Sequence, residues 1–413
     1  MTMSWESISL SDALRPLKSS PFTRDELNYS GGQYQNVHYG DILVRFPSVV
    51  DAEKVGLPYV NDSSEGRCTR CTLLQNGDII IADTAEDEAV GKAIEIQGIK
   101  DQKVVSGLHT MAFRPQEGLF APGFLGYFLN SSVYHNQLLP LMQGIKVLSI
   151  SKTSIGDTVI KYPSYKEQEK IVESLSGVDD MIRALDEAIA KKRQIKEGLM
   201  QQLLTGTTRL PGFSGEWKTV YLGDLGDFSQ GNGFPVQYQG KKSGDYPFYK
   251  VSDFNNVGNE LYMCMANNYI NKDVASILSC KIIPHGSIFM AKIGAAIFLE
   301  RKRLTTIPCC IDNNTMAFIP NEKLFDSLFA LYLFQRIHVG DYAEATALPA
   351  INLSNLKKHE VYIPSTLNEH KAIAHVLQSG ETDILALESL RGKYDSIKQG
   401  MIQELLTGKT RLL

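Results

Sequence analysis

A chain of 413 residues, 43% hydrophobic and 21% charged, has the apolar content of two or three ordinary folded domains, which excludes a disordered or fibrous class. Its net charge of −4 lacks the positive potential that phosphates demand, so any nucleic-acid contact must use local basic patches or a partner's charge. Apolar runs such as residues 118–129 fall short of the roughly 18 residues of a bilayer span, the start MTMSWESISL carries no secretory pattern, and six cysteines without a disulfide framework fit reduced thiols, so a cytoplasmic location is expected.

In chain order, Trp5, Leu10 and Asp12 open the first half. Asn76-Gly77-Asp78 followed by Ile79-Ile80-Ile81-Ala82 reads as a turn and a buried strand, and Thr110-Met111-Ala112-Phe113 as a second strand. Helical periodicity follows over 122–139, then Ser151-Lys152-Thr153-Ser154-Ile155, and the half closes on Pro163-Ser164. The second half runs through the same order. Trp217, Leu222 and Asp224 open it, and these two tryptophans are the only ones in the chain. His285-Gly286-Ser287 precedes Ile288-Phe289-Met290-Ala291, Thr315-Met316-Ala317-Phe318 matches the second strand, helical periodicity covers 325–337, and Pro364-Ser365 ends the copy. Each copy is expected to be a compact α+β domain.

The clearest repeat comes next. IKEGLMQQLLTGTTRL at 195–210 returns as IKQGMIQELLTGKTRL at 397–412, an offset of 202 that holds without a gap from Glu167 and Glu369 onward. Ser164-x-x-Glu167 and Thr366-x-x-Glu369 have the capping-box form that starts a helix. A first short helical segment is expected to end near Ser176-Gly177 and Ser379-Gly380, with a longer helix running on to a Thr-Gly stop. The apolar stripe is Val178, Ile182, Leu185, Ile189, Ile195, Leu199 and Leu203 in the first copy and Ile384, Leu387, Leu390, Tyr394, Ile397, Met401 and Leu405 in the second. Two matching stripes predict an antiparallel two-helix coiled coil. The 28 residues of 177–204 would span about 42 Å, slightly more than one turn of B-DNA. The expected fold is therefore α+β: two pseudo-repeated globular α+β domains (1–163 and 213–364) separated by a long antiparallel coiled coil built from helical spacers (164–212 and 365–413).

Signals of catalysis are weak. Gly408-Lys409-Thr410 resembles the end of a phosphate loop, but Gln403 stands where the pattern needs glycine and a helix precedes it in place of a strand. Glu300-Arg301-Lys302 with Asp273 has loose nuclease spacing, and Cys68-x-x-Cys71 is a lone pair that would need two more zinc ligands. An Asn-Pro-Pro-aromatic step for base methylation is absent. Binding is the stronger reading. Candidate DNA contacts are Arg67, Arg70 and Lys92 in the first copy and Lys250, Lys292, Arg301, Lys302 and Arg303 in the second, because arginine grips guanine edges and lysine positions phosphates. A helical scaffold for protein partners that never touches DNA is the alternative.

The doubled Leu-Leu-Thr-Gly-(Thr/Lys)-Thr-Arg-Leu, with Pro211-Gly212-Phe213 after the first copy, the Gln168-Glu169-Lys170-Ile171 helix start and the paired domains resemble the specificity subunit of type I restriction-modification enzymes along essentially the whole chain. The resemblance implies two target recognition domains that each read part of a bipartite, asymmetric double-stranded DNA site, with the helices as a ruler. It implies two methyltransferase subunits that bind S-adenosylmethionine, and restriction subunits that use ATP and Mg. It also implies that the specificity subunit itself is not catalytic and binds no metal or cofactor of its own.

Overall fold

The computed structural model describes residues 5–412. It divides into two compact units: one takes the chain up to Asp186 together with Ser389 onward, and the other is Glu187–Glu388. Both boundaries fall inside long helices, so each unit contains part of each helix.

Each unit is built on a five-stranded sheet. In the first, the order is Leu14–Pro16, Thr110–Pro115, Ile79–Ala82, Ala93–Gln97 and Val49–Asp51. In the second it is Gly226–Gln230, Thr315–Pro320, Ile288–Ala291, Lys302–Thr305 and Tyr262–Met263. Only the last pair of each sheet is parallel. The central strands, Ile79–Ala82 and Ile288–Ala291, are buried at every position, which is why they read as continuous apolar runs and not as alternating ones. Register repeats as well: Thr110 faces Ala82 as Thr315 faces Ala291. A parallel pair flanks each sheet, Tyr34–Val37 with Lys103–Ser106 and Tyr246–Tyr249 with Cys310–Ile311.

The α+β class and the paired long helices are as expected, but the helices are longer. Tyr165–Leu203 and Leu367–Leu405 are each 39 residues without a break, about 58 Å at 1.5 Å per residue. Gly177 and Gly380 lie inside them with open space where a side chain would be. An interior helical glycine costs only about 1 kcal/mol, and buried Leu175 and Leu185, or Leu377 and Ile384, hold the helix on either side. Ion pairs order the helices antiparallel. In the first unit Asp179 meets Lys398 and Asp186 meets Arg391; in the second Glu381 meets Lys196 and Asp383 meets Lys192.

The capping boxes form only in part: the Thr366 hydroxyl accepts the Glu369 amide at 3.4 Å, but the two glutamate side chains go elsewhere. Glu167 does not turn back to Ser164; its carboxylate takes Arg411 Nε and Nη2 at 2.7 Å each, with the Leu412 amide at 3.3 Å. Glu369 likewise takes Arg209 Nε at 2.6 Å and Nη2 at 2.8 Å, plus Trp217 Nε1 at 3.3 Å. A bidentate guanidinium outcompetes one backbone amide. Beside each pair, the helix stop is a glycine at φ +71°, and a Cβ on Gly206 or Gly408 would stand 3.1 Å from Trp217 or Trp5. The tail of the second helix completes the core of the first unit through Ile402, Leu405 and Leu406, and Leu203 and Leu204 do the same in the second.

Two measurements check this lock. Gly408→Ala adds a left-handed alanine against the Trp5 ring and is expected to destabilise the first unit by about 1–3 kcal/mol in urea unfolding; an unmoved midpoint would contradict the packing. Arg411 holds the Glu167 carboxyl below its ordinary 4.5, against burial, which pushes it up. Its stabilisation is therefore complete above that value and is lost as pH falls through the lower folded one. Glu167→Gln is expected to flatten this acid-side fall in thermal unfolding.

Candidate nucleic-acid interface

The structure separates the eight basic candidates into different environments. Arg67 ion-pairs with Glu26, and its guanidinium lies 4.7 Å from the centre of the Phe22 ring. Arg70 is exposed at the end of the 3-10 helix Asp62–Arg70. Lys92 is half-buried, with Nζ donating to the Leu43 carbonyl at 3.0 Å, and burial followed by the charge of Lys398 lowers its pKa. Arg301 donates to Asn255 Oδ1 at 2.6 Å. Arg303 spends Nε on the Asn259 carbonyl at 2.7 Å and Nη1 on the Lys302 carbonyl at 2.9 Å.

Lys302 departs from the expected role. Its side chain is 1% exposed, ion-paired with Glu300, and donates to the Ile337 carbonyl at 2.9 Å. Burial lowers its pKa, and the Glu300 charge offsets part of that. Glu300 in turn accepts the amides of Val339 at 3.1 Å and Gly340 at 2.9 Å. The pair ties a sheet strand to the segment after the Ser327–Arg336 helix, so it belongs to the framework. Asp273 lies on the separate short helix Lys272–Ile277. Among the described residues no cluster of three or more His, Cys, Asp or Glu side chains is placed to hold a metal.

Lys250 and Lys292 are brought together at one corner of the second sheet. The Asp312 amide donates to the Tyr249 carbonyl at 3.0 Å, and the Lys292 amide donates to the Asn314 carbonyl at 2.8 Å, so the Asn313-Asn314 turn sits between the two lysines. Lys250 Nζ reaches Gln239 Oε1 at 3.2 Å and Lys292 Nζ reaches Gln230 Oε1 at 2.6 Å. Sequence reasoning missed Gln230, Asp312, Asn313 and Asn314. The signal was a polar Asp-Asn-Asn turn immediately before the shared Thr-Met-Ala-Phe strand.

Of the expected helix seam, Leu185, Ile189, Leu203, Ile384 and Leu405 are buried, while Val178, Ile182, Leu199, Leu387, Tyr394 and Met401 are half-buried. Ile195, Leu390 and Ile397 remain 48%, 41% and 49% exposed, so the apolar stripe is wider than a two-helix contact covers. No helix of the described residues is long and apolar enough to cross a membrane.

Two copies of one α+β plan, each closed by paired helices, define a protein assembled from repeated modules. The comparisons agree. A family model described as "Type I restriction modification DNA specificity domain" matches residues 214–399. The putative type I restriction enzyme MjaX specificity subunit of Methanocaldococcus jannaschii is 23% identical over 433 residues, covering 99% of this chain and 94% of that one. The MjaVIII specificity subunit of the same organism is 24% identical over 289 residues, covering 65% of this chain and 66% of that one. In fold, the S subunit of a type I restriction-modification system from M. genitalium superposes with TM-score 0.61 at 13% identity, covering 98% of this chain and 96% of that one. A structure described under complex assembly and conformational transition of the type I R-M system gives TM-score 0.57 at 18% identity, with 98% and 97% covered. Along nearly its whole length the chain is thus similar to the specificity subunits of type I restriction-modification systems, and residues 214–399 match the DNA specificity domain of that family.

The framework role of Lys302 is open to test. Lys302→Ala leaves Glu300 without its cation and is expected to cost about 3–5 kcal/mol in unfolding, whereas Arg301→Ala is expected to stay within about 0.5 kcal/mol. A Lys302→Ala protein of full stability that loses DNA affinity would return Lys302 to the interface.

Proposed function

We propose that this subunit reads a bipartite, asymmetric DNA site, with residues 1–163 and 213–364 as two target recognition domains and 164–212 and 365–413 as the helical spacers that set the gap between half-sites. The observation that carries the reading is duplication with divergence. Strand order, register, the Trp-on-Gly contact and the Arg–Glu lock recur in both units, while exposed side chains at matching positions differ. A repeated frame with unlike surfaces is suited to two unlike half-sites.

Two methyltransferase subunits are the proposed partners on the helices. Exposed apolar side chains on the helices, Met181, Leu390 and Ile397 in the first unit and Ile195 and Leu385 in the second, are groups that a partner can cover. S-adenosylmethionine would be held by those subunits, and ATP and Mg by restriction subunits that join them.

Co-expressed with its methyltransferase partner, the chain is expected to direct methylation to one two-part motif, read by single-molecule sequencing of host DNA. Methylation at the same sites without the chain would sink the proposal. Adding one turn, about 5.4 Å, to both long helices is expected to widen the unread gap by about one or two base pairs; an unchanged gap would leave the helices as anchors only.

A further inference from the structure

The corner that gathers Lys250 and Lys292 is built twice. In the first domain the Gly107 amide donates to the Val37 carbonyl at 3.0 Å, the Asp83 amide to the His109 carbonyl at 3.1 Å, and the Ile150 amide to the Asp83 carbonyl at 2.9 Å. In the second domain the Asp312 amide donates to Tyr249 at 3.0 Å, the Lys292 amide to Asn314 at 2.8 Å, and the Ile351 amide to Lys292 at 3.0 Å. These are the same three bonds in the same frame. Asp83 thus corresponds to Lys292, and the two-residue turn Leu108-His109 corresponds to Asn313-Asn314. Both turns lead directly into Thr-Met-Ala-Phe.

The frame is constant and its side chains are opposite in chemistry. The second corner offers two ammonium groups, whose hydrogen bonds go to neutral glutamine amides, and two exposed asparagines. Behind them stands Asp312, 4% exposed. Its Oδ2 accepts from Asn314 Nδ2 at 3.2 Å, which orients that amide, and its Oδ1 has no hydrogen-bond partner among the described residues. The first corner offers a carboxylate and an imidazole. His109 is exposed, yet it is held: Tyr39 packs edge-on at 5.2 Å between ring centroids, and Nδ1 lies 3.3 Å from both Thr84 Oγ1 and Asp83 Oδ1. It holds φ at +50°, a conformation that non-glycine residues seldom adopt and that tends to collect at functional sites.

Resting on the bipartite reading above, we propose that these corners are the base-reading positions of the two domains: Lys292, Asn313 and Asn314, with Lys250, in the second, and Asp83 and His109 in the first. Asp312 is a positioning residue that acts through Asn314. In the major groove lysine donates to the N7 and O6 acceptors of guanine and asparagine pairs with adenine, so the second half-site is expected to carry purines on the contacted strand. Asp83 accepts from the exocyclic amino group of cytosine or adenine. The exposed acidic run Glu86-Asp87-Glu88 beside the first corner repels phosphate, so that corner is fitted to reading bases and contributes little to backbone attraction.

The test uses the full chain with its methyltransferase partner, methylome sequencing for the motif, and anisotropy with a duplex carrying it. Lys292→Ala with Asn314→Ala is expected to relax one half of the motif and weaken binding about tenfold or more, with a shallower salt dependence. Asp83→Ala with His109→Ala is expected to relax the other half alone. Should either double variant fail to fold by thermal unfolding, Lys292→Gln and His109→Asn, which keeps a residue tolerant of positive φ, replace it. Lys323→Ala, away from both corners, serves as the control and is expected to leave the motif unchanged. Folded variants that leave both half-sites intact, or that both alter the same half-site, would overturn the assignment while leaving the bipartite reading in place. A wild-type motif without two separated parts would overturn that reading and this inference together.

Discussion

Each half of the structure depends on a buried carboxylate at the start of one long helix and the guanidinium that reaches it from the tail of the other. Glu167 and Glu369 are both 2% exposed at the side chain, and a carboxylate so placed is costly unless a cation with good geometry answers it. Arg411 and Arg209 answer in bidentate form. The left-handed glycine three residues earlier turns the tail, and its missing side chain lets a tryptophan ring lie against it. Tryptophan, glycine, arginine and glutamate therefore act as one element. In the first unit that element joins residues 244 positions apart.

With the ends tied in this way, the charge pairs along the helices have a different task. Lys192–Asp383, Arg193–Glu388 and Arg391–Asp186 are solvent-exposed in whole or part, and such pairs typically contribute 0–1 kcal/mol each. Direction is what the ladder of pairs records: from Asp179–Lys398 to Asp186–Arg391 in the first unit, and from Lys192–Asp383 to Lys196–Glu381 in the second, one residue number rises as its partner's falls, which disfavours a parallel or shifted register more than it adds stability. Apolar burial supplies the stability, and it is concentrated at the helix ends, at Ile171, Leu175, Leu405 and Leu406 in the first unit and Leu203, Leu204, Ile373 and Leu377 in the second.

The duplication, both tryptophans, the helix stops and the central strands were legible in the sequence because each rests on local periodicity or on a glycine. The fate of Glu167 and Glu369 was not, because a capping box is a local motif and the winning partner lies more than a hundred residues away. Lys302 was read as part of a basic cluster, although the strand period of two already sets it on the face opposite Arg301 and Arg303. Ser176-Gly177 looks like a helix end in the sequence, yet the first helix runs through it, because Ile171 and Leu175, packed in the core of the first unit, hold the turn before it. Lys250 and Lys292 are 42 positions apart, and only the parallel pairing of Tyr246–Tyr249 with Cys310–Ile311 places them around one turn.

The two domains also show why a fold of this kind can keep its framework while its surface diverges. Ile79–Ala82 and Ile288–Ala291 are buried throughout, so volume and close packing constrain each side chain. Backbone bonds at the sheet corners need only an amide and a carbonyl, which every residue except proline supplies in full. The side chains there are free of the core's demands, and Asp83 can stand where Lys292 stands without disturbing a strand. The requirements of folding and of surface chemistry therefore fall on different atoms of neighbouring residues, and the Gly107 and Asp312 positions mark the seam between them: both amides make the same bond, while one residue has no side chain and the other buries a carboxylate.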